Sequence, residues 1–213
     1  MTSMDLVLFD QAWDRLEAWL AARSPADHAA LRPPATAAEI AGLEGRLGFA
    51  LHPELRRLLE RRNGVTPPER NSGPELGVFP AGGILPLGHR LIPAAGIADM
   101  HEILVEVGED NTEADLWDEE DLAGHLHLCV PFALPDDGGF AFVDHRPGAT
   151  YGHVYEMGIG SGDLDGTLWG SSLTGFVRAV TDALETGTPF EKHWPVTFEH
   201  ASGRTCVDWE IRP

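Results

Sequence analysis

The hydrophobic pattern changes period about a third of the way along this 213-residue chain, and that switch most constrains what it can fold into. Up to about residue 64 the apolar residues recur at helical spacing. Phe9, Trp13, Leu16 and Leu20 mark one face of a helix over 6–22. Ile40, Leu43 and Leu47 mark a second, and Leu55, Leu58 and Leu59 a third. Beyond that point come short β-rich runs, "CVPFAL", "GFAFVDH" and "GHVYEM", separated by Pro135-Asp136-Asp137-Gly138-Gly139 and Arg146-Pro147-Gly148. They predict an antiparallel meander. A last helix is expected over 171–186, with Leu173, Phe176, Val177, Val180 and Leu184 on one side, then a closing hairpin around Ala201-Ser202-Gly203. The economical reading is one α+β domain over 1–213: N-terminal helices packed on a mixed, mostly antiparallel sheet with a C-terminal helix.

The helix ends are written in the sequence. "TAAE" is a capping box: the Thr36 hydroxyl accepts from the Glu39 N–H and Glu39 reaches back. Gly48 stops that helix. In "LHPELRRLLERRNG" Pro53 suits a first helical position, because its missing N–H would be unbonded there, and Asn63-Gly64 tolerates the left-handed conformation that ends a helix. "RSPADHAALRPPA" reads as a connector, "GPELGVFPAGGILPLGH" as one or two short strands, and residues 96–107 as a further helix. Arg56, Arg57, Arg61 and Arg62 read as solvated, with the chain's own acidic side as their alternative contact. Glu44, beside the apolar face, calls for a backbone N–H or an arginine.

Charge bounds the partners. Lys+Arg total 15 and Asp+Glu 34, for a net charge of −19. Nucleic acid and anionic membranes are therefore repelled and basic partners attracted. Residues 1–70 hold 9 Arg and 10 acids, so nearly all the excess lies beyond them. Lys192 is the one lysine, which together with abundant Ala, Gly, Pro and Arg points to a GC-rich bacterial genome. No apolar run reaches the roughly 20 residues of a membrane helix, and the N-terminus lacks a secretory pattern. Cys129 and Cys206 make no disulfide framework, and a cytoplasmic location is expected.

Signatures of catalysis are missing: there is no phosphate-cradling loop, no H-E-x-x-H and no G-x-S-x-G. "GIGSGDLDG" (158–166) reads as a surface turn. In "HLHLC" a strand places His125, His127 and Cys129 on one face, but donors about 7 Å apart close a tetrahedron poorly, so the expectation is a strand with Leu126, Leu128 and Val130 inward. No metal, cofactor or catalytic residue is expected. From Asp99 to Asp121, 23 residues carry 11 acids and no Lys or Arg. Such a run is either a solvated face or a docking surface for a cationic partner. The candidate contact residues are Glu109, Asp110, Glu113, Asp115, Trp117, Asp118, Glu119, Glu120 and Asp121, with Trp117 either a contact ring or an anchor into the core.

Residues 33–64, "PPATAAEIAGLEGRLGFALHPELRRLLERRNG", resemble the N-terminal signature of the SUKH superfamily on Pro34, Ile40, Leu43-Glu44, Leu47-Gly48, Pro53 and Asn63-Gly64. Downstream, Pro131, Asp144 and Gly148 are similar to its strand pair, and "SSLTGFVRAV" to the start of its C-terminal helix. Val130 and Gly138-Gly139 depart from the usual residues. The acidic insertion at about 99–121 and a C-terminal hairpin extension at about 194–213 lie outside the shared pattern. The resemblance implies a SUKH-like fold and a non-enzymatic binding role. The bacterial members imply an immunity protein that neutralises a cognate toxin, with a basic nuclease favoured by charge. The fungal cell-wall assembly regulators imply a regulatory scaffold instead. A metal-dependent hydrolase is the third reading.

Overall fold

The computed structural model describes residues 3–66, 81–114, 117, 121–135, 138–158, 165–199 and 203–212. Six α-helices are described: α1 (Ser3–Arg23), α2 (Pro25–Ala30), α3 (Ala37–Leu47), α4 (Pro53–Arg61), α5 (Ala94–Glu113) and α6 (Leu173–Thr186). The strands are β1 (Arg90–Leu91), β2 (Cys129–Leu134), β3 (Phe140–Asp144), β4 (Val154–Met157), β5 (Thr167–Gly170), β6 (His193–Glu199) and β7 (Thr205–Ile211). Strands β1 to β5 form one antiparallel sheet in chain order, and β6 and β7 form the closing hairpin. The architecture is α+β, as the change of period predicts.

The sheet is buried on both faces, which is why β3 reads as a continuous apolar run rather than an alternating one. Ala141 and Val143 join a large cluster with α1, α3, α4 and α6, where Phe9, Trp13, Leu16, Leu20, Ile40, Leu55, Leu59 and Phe176 are buried. Phe140 and Phe142 join a smaller cluster with Leu104 of α5, Leu122, Leu126 and Met157. Successive strand residues point to opposite faces, so the two clusters lie on either side of β3.

The predicted caps hold. Thr36 and Glu39 form the reciprocal box, and Gly48 closes α3 at φ +80°. Changing Thr36 to alanine is expected to cost about 1 kcal/mol, read as a lower urea midpoint at unchanged slope. Helix α4 ends differently from the expectation. Arg62 is extended at its C-cap, and Asn63 spends its side chain instead: Nδ2 donates to Glu39 Oε1 (3.1 Å) and Oδ1 accepts from Ala94 N (2.8 Å). One buried amide thus ties α3 to the start of α5.

The α4 arginines are partly exposed, but each is paired with an acid of the chain. Arg57 forms a bidentate pair with Asp10 at 2.9 and 2.8 Å, Arg61 pairs with Asp14, and Arg62 grips Glu17 at 2.8 and 3.2 Å. Burial opposes ionisation of Glu17, yet the Arg62 guanidinium and the Trp13 indole hold its carboxyl below the usual range. Asp10, Asp14 and Glu17 recur at helical spacing along α1, so the two helices meet in register. Partly exposed pairs are worth roughly 0.2–1 kcal/mol each, and they set orientation more than stability. Arg56 binds both oxygens of Glu44 (2.9 and 3.0 Å), whose Oε1 also accepts from Leu51 N, so Glu44 meets both of its expected partners.

Other differences are local. The connector after α1 contains α2, started by Pro25. Residues 81–89 hold a short 3-10 turn (Pro86–Gly88) and an isolated bridge rather than strands, and residues 73–80 lie outside the described set. Helix α5 runs from 94 to 113, longer than the expected 96–107, so the first half of the acidic segment is helical. Strand β5 was not marked by any run of alternation; its Leu168 is exposed and its Trp169 buried. "HLHLC" is not a strand: Ala123–Leu128 is a 3-10 turn, and Cys129 opens β2. The turn carries the chain from α5 back to the sheet, and Leu126 and Cys129, not Leu128, join the core.

Candidate functional site

Helix α5 presents an acidic stripe because its sequence repeats acids at helical spacing. Glu106, Glu109, Asp110 and Glu113 fall at i, i+3, i+4 and i+7 and are all exposed. The opposite face carries Met100, Leu104 and Val107 into the smaller core cluster. Nearer the start of the helix, Asp99 and Glu102 are already paired with Arg46 of α3, each at 2.8 Å. The acids open to a partner are therefore those of the last two turns.

Beside that stripe lies a groove of about 510 Å³ between α5 and the 3-10 turn. Glu109 and Glu113 form its acidic wall, Val105, Gly108 and Leu126 supply an apolar floor, and His127 stands opposite. The turn packs against α5 at Gly108, where an added Cβ would make only an ordinary contact with Leu126 Cβ at 3.5 Å. His127 is largely exposed; partial desolvation in the turn lowers its imidazole from the ordinary value, the nearby His125 adds to that, and Glu109 pulls the other way. The His127 carbonyl accepts from His101 Nε2 (3.0 Å), which anchors the turn to α5.

The predicted contact residues divide. Glu109, Asp110 and Glu113 share the exposed face of α5, and Asp121 is half-buried just before the 3-10 turn. Trp117 is half-buried and packs on the smaller cluster, so its ring is an anchor for the segment. Asp115, Asp118, Glu119 and Glu120 lie outside the described residues. The groove role of His127 and the floor residues has no signal in the sequence, where His127 stood out only as a metal-ligand candidate, because only the 3-10 turn sets them against α5. Among the described residues no group of three or more His, Cys, Asp or Glu side chains can hold a metal ion. Burial raises the thiol of Cys129 far above its ordinary value and pushes that of Cys206 up to about 11, so neither is a ready nucleophile. No described helix is long and apolar enough to cross a membrane.

A helical layer with a capping box and a Pro-led helix, set on an antiparallel meander closed by a Ser-capped helix, defines the class of α+β domain that the sequence resembles. Residues 34–178 match the SMI1 / KNR4 family (SUKH-1), and the chain belongs to that family. No curated protein matches it. Helix α1, which precedes the match, and the β6–β7 hairpin, which follows it, both contribute to the large core cluster.

Proposed function

We propose that this protein is a non-enzymatic immunity protein that binds a basic protein toxin and blocks it through the acidic groove of α5. The observation that carries the reading is the groove itself. It sets two exposed carboxylates, Glu109 and Glu113, above an apolar floor on a chain of net charge −19. A lysine or arginine of a partner finds there a counter-charge for its head group and an apolar bed for its stem. A nuclease is the favoured class of toxin, since enzymes that hold a polyanion carry a basic surface. Membership of the SMI1 / KNR4 family supports a protein-binding role.

The test is co-expression with the product of the adjacent gene. Growth arrest by the neighbour alone, rescue together and co-purification are the expected results. A harmless neighbour that does not co-purify rejects immunity and favours the regulatory-scaffold role. Once a partner is in hand, the triple variant Glu109→Gln, Asp110→Asn, Glu113→Gln is expected to slow association at least tenfold at low salt, to flatten its salt dependence and to leave thermal stability nearly unchanged. An association rate equal to that of the parent protein at low salt removes α5 from the interface.

A further inference from the structure

Four aromatic or imidazole rings line the seam between the helical layer and the β3–β4 loop. The His145 ring lies 5.4 Å from Phe49, 6.4 Å from His52 and 6.0 Å from Tyr151, centre to centre. His52 and His145 are only 5% and 6% exposed. Both nitrogens of His145 are committed to backbone: Nε2 accepts from His52 N (2.8 Å), so Nδ1 must carry the proton and donates to the Val143 carbonyl (2.9 Å). That pairing exists only for the neutral ring. His52 is the N-cap of α4, its Nδ1 accepting from Glu54 N at 3.3 Å. The loop rests directly on its imidazole. A Cβ on Gly152, at φ +88°, would lie 2.4 Å from His52 Nε2.

Among the described residues, the carboxylate beside His145 is already paired. Asp144, the acid next to His145 in the chain, is fully buried and spent on Arg146, with contacts of 2.9–3.2 Å to its guanidinium and 2.7 Å to its backbone N–H. From α5 the facing group is His101, whose Nε2 already donates to the His127 carbonyl. From the loop it is the Tyr151 ring. Around His52 the charged groups are Glu54, held by Thr174 N and Oγ1, with Asp5 and Arg178 across a groove of about 380 Å³.

The geometry points to a proton-operated latch: protonation of His145 turns its acceptor nitrogen into a second donor facing the His52 N–H, and so releases the β3–β4 loop from the first turn of α4. The loop carries Tyr151, which is 44% exposed, and with Gly152 it forms one wall of the groove shared with Leu8 of α1 and Arg178 of α6. Acid therefore remodels a surface distinct from the α5 groove.

Burial pushes His52 down to about 4. His145 also falls to about 4, chiefly by burial, with His52 and His101 adding to the effect against the Val143 bond and Asp144. A folded value below the open-state value means that the open form takes up protons first as pH falls. Closure is thus fully favoured above the ordinary histidine value near 6.5 and weakens down to about 4. Between pH 7 and pH 5 the opening constant should rise about 20-fold for each imidazole released.

Amide hydrogen exchange by NMR, corrected for intrinsic rates, tests this at pH 7, 6 and 5. The His52 amide, whose acceptor is His145 Nε2, should show a rise of at least about 20-fold that Leu16 and Leu20 of α1 do not share, and His145→Gln should reduce the rise. A rise shared equally by α1 is global unfolding and overturns the latch, as does no rise at all. Titration of the ring protons in the parent protein gives an answer independent of the variant. A His145 midpoint below 5 that tracks loop shifts supports the latch, and an ordinary midpoint near 6.5 overturns it.

Discussion

Replacing Gly64 by alanine is expected to destabilise the protein by more than 3 kcal/mol, while the same change at Gly48 costs about 1 kcal/mol. Both glycines hold a left-handed backbone, at φ +75° and φ +80°. They differ in what stands beside them. A Cβ at Gly48 meets nothing within 4 Å, whereas at Gly64 it would lie 2.5 Å from Pro93 N and 2.6 Å from Ile92 C. Those atoms cannot yield. Ile92 N is bonded to the Phe132 carbonyl (3.0 Å) and Pro93 O accepts from Ile97 N in the first turn of α5 (2.9 Å). Gly64 therefore lets two backbones touch where the helical layer meets the sheet. Urea unfolding of the two variants measures the contrast. Equal losses would show that φ alone, not the close approach, selects glycine at 64.

Asp27→Ala is expected to cost about 3–5 kcal/mol and to loosen the C-terminal hairpin first. Asp27 is 1% exposed, and its carboxylate accepts from Gly82 N (2.6 Å), Val207 N (2.7 Å) and the Ser24 hydroxyl. Two backbone donors from distant parts of the chain and one neighbouring hydroxyl converge on one side chain. Removing it strands two backbone N–H groups where water does not reach. Trp209, whose indole donates to the Ile84 carbonyl (3.2 Å), sits on the same strand as Val207 and reports the change by fluorescence. Asp27→Asn keeps one acceptor oxygen and should fall between the parent and alanine. A loss below 1 kcal/mol for alanine would mean that water satisfies the freed donors.

Asp27 also shows where reading by sequence stops. It lies in a stretch of turn-forming residues, and nothing in "SPADH" distinguishes it from a solvated acid. Its partners are 55 and 180 residues away. The α4 arginines are the same case. Their spacing placed them on a helix surface, but that Asp10, Asp14 and Glu17 wait opposite depends on how α1 crosses α4. Asn63 is read by residue type as a left-handed helix stop, but α4 ends through the extended Arg62 and the Asn63 amide bridges α3 and α5, a role that composition does not encode. The acidic run was legible in full, but not that Asp99 and Glu102 are taken by Arg46, nor that the 3-10 turn builds a floor beside Glu109 and Glu113. "HLHLC" misled because alternation over five residues fits a strand and a tight turn equally well.

What the sequence determined by itself is local or periodic: the capping box at Thr36, the stop at Gly48, the Pro53 start, the buried stripes of α1, α3 and α6, strands β2, β3 and β4 of the meander, the closing hairpin and the excess of negative charge. Each rests on interactions between residues a few positions apart, or on a period that one face of an element must satisfy to be buried. The tertiary structure decided the rest: which acids are free, where buried polar groups find partners, how both faces of the sheet are covered, and why His52 and His145 are held neutral. These depend on contacts between residues tens to hundreds of positions apart. Burial alone turns such a contact from a solvated option into an obligation, because an unpaired polar group inside the protein costs more than any local preference can return.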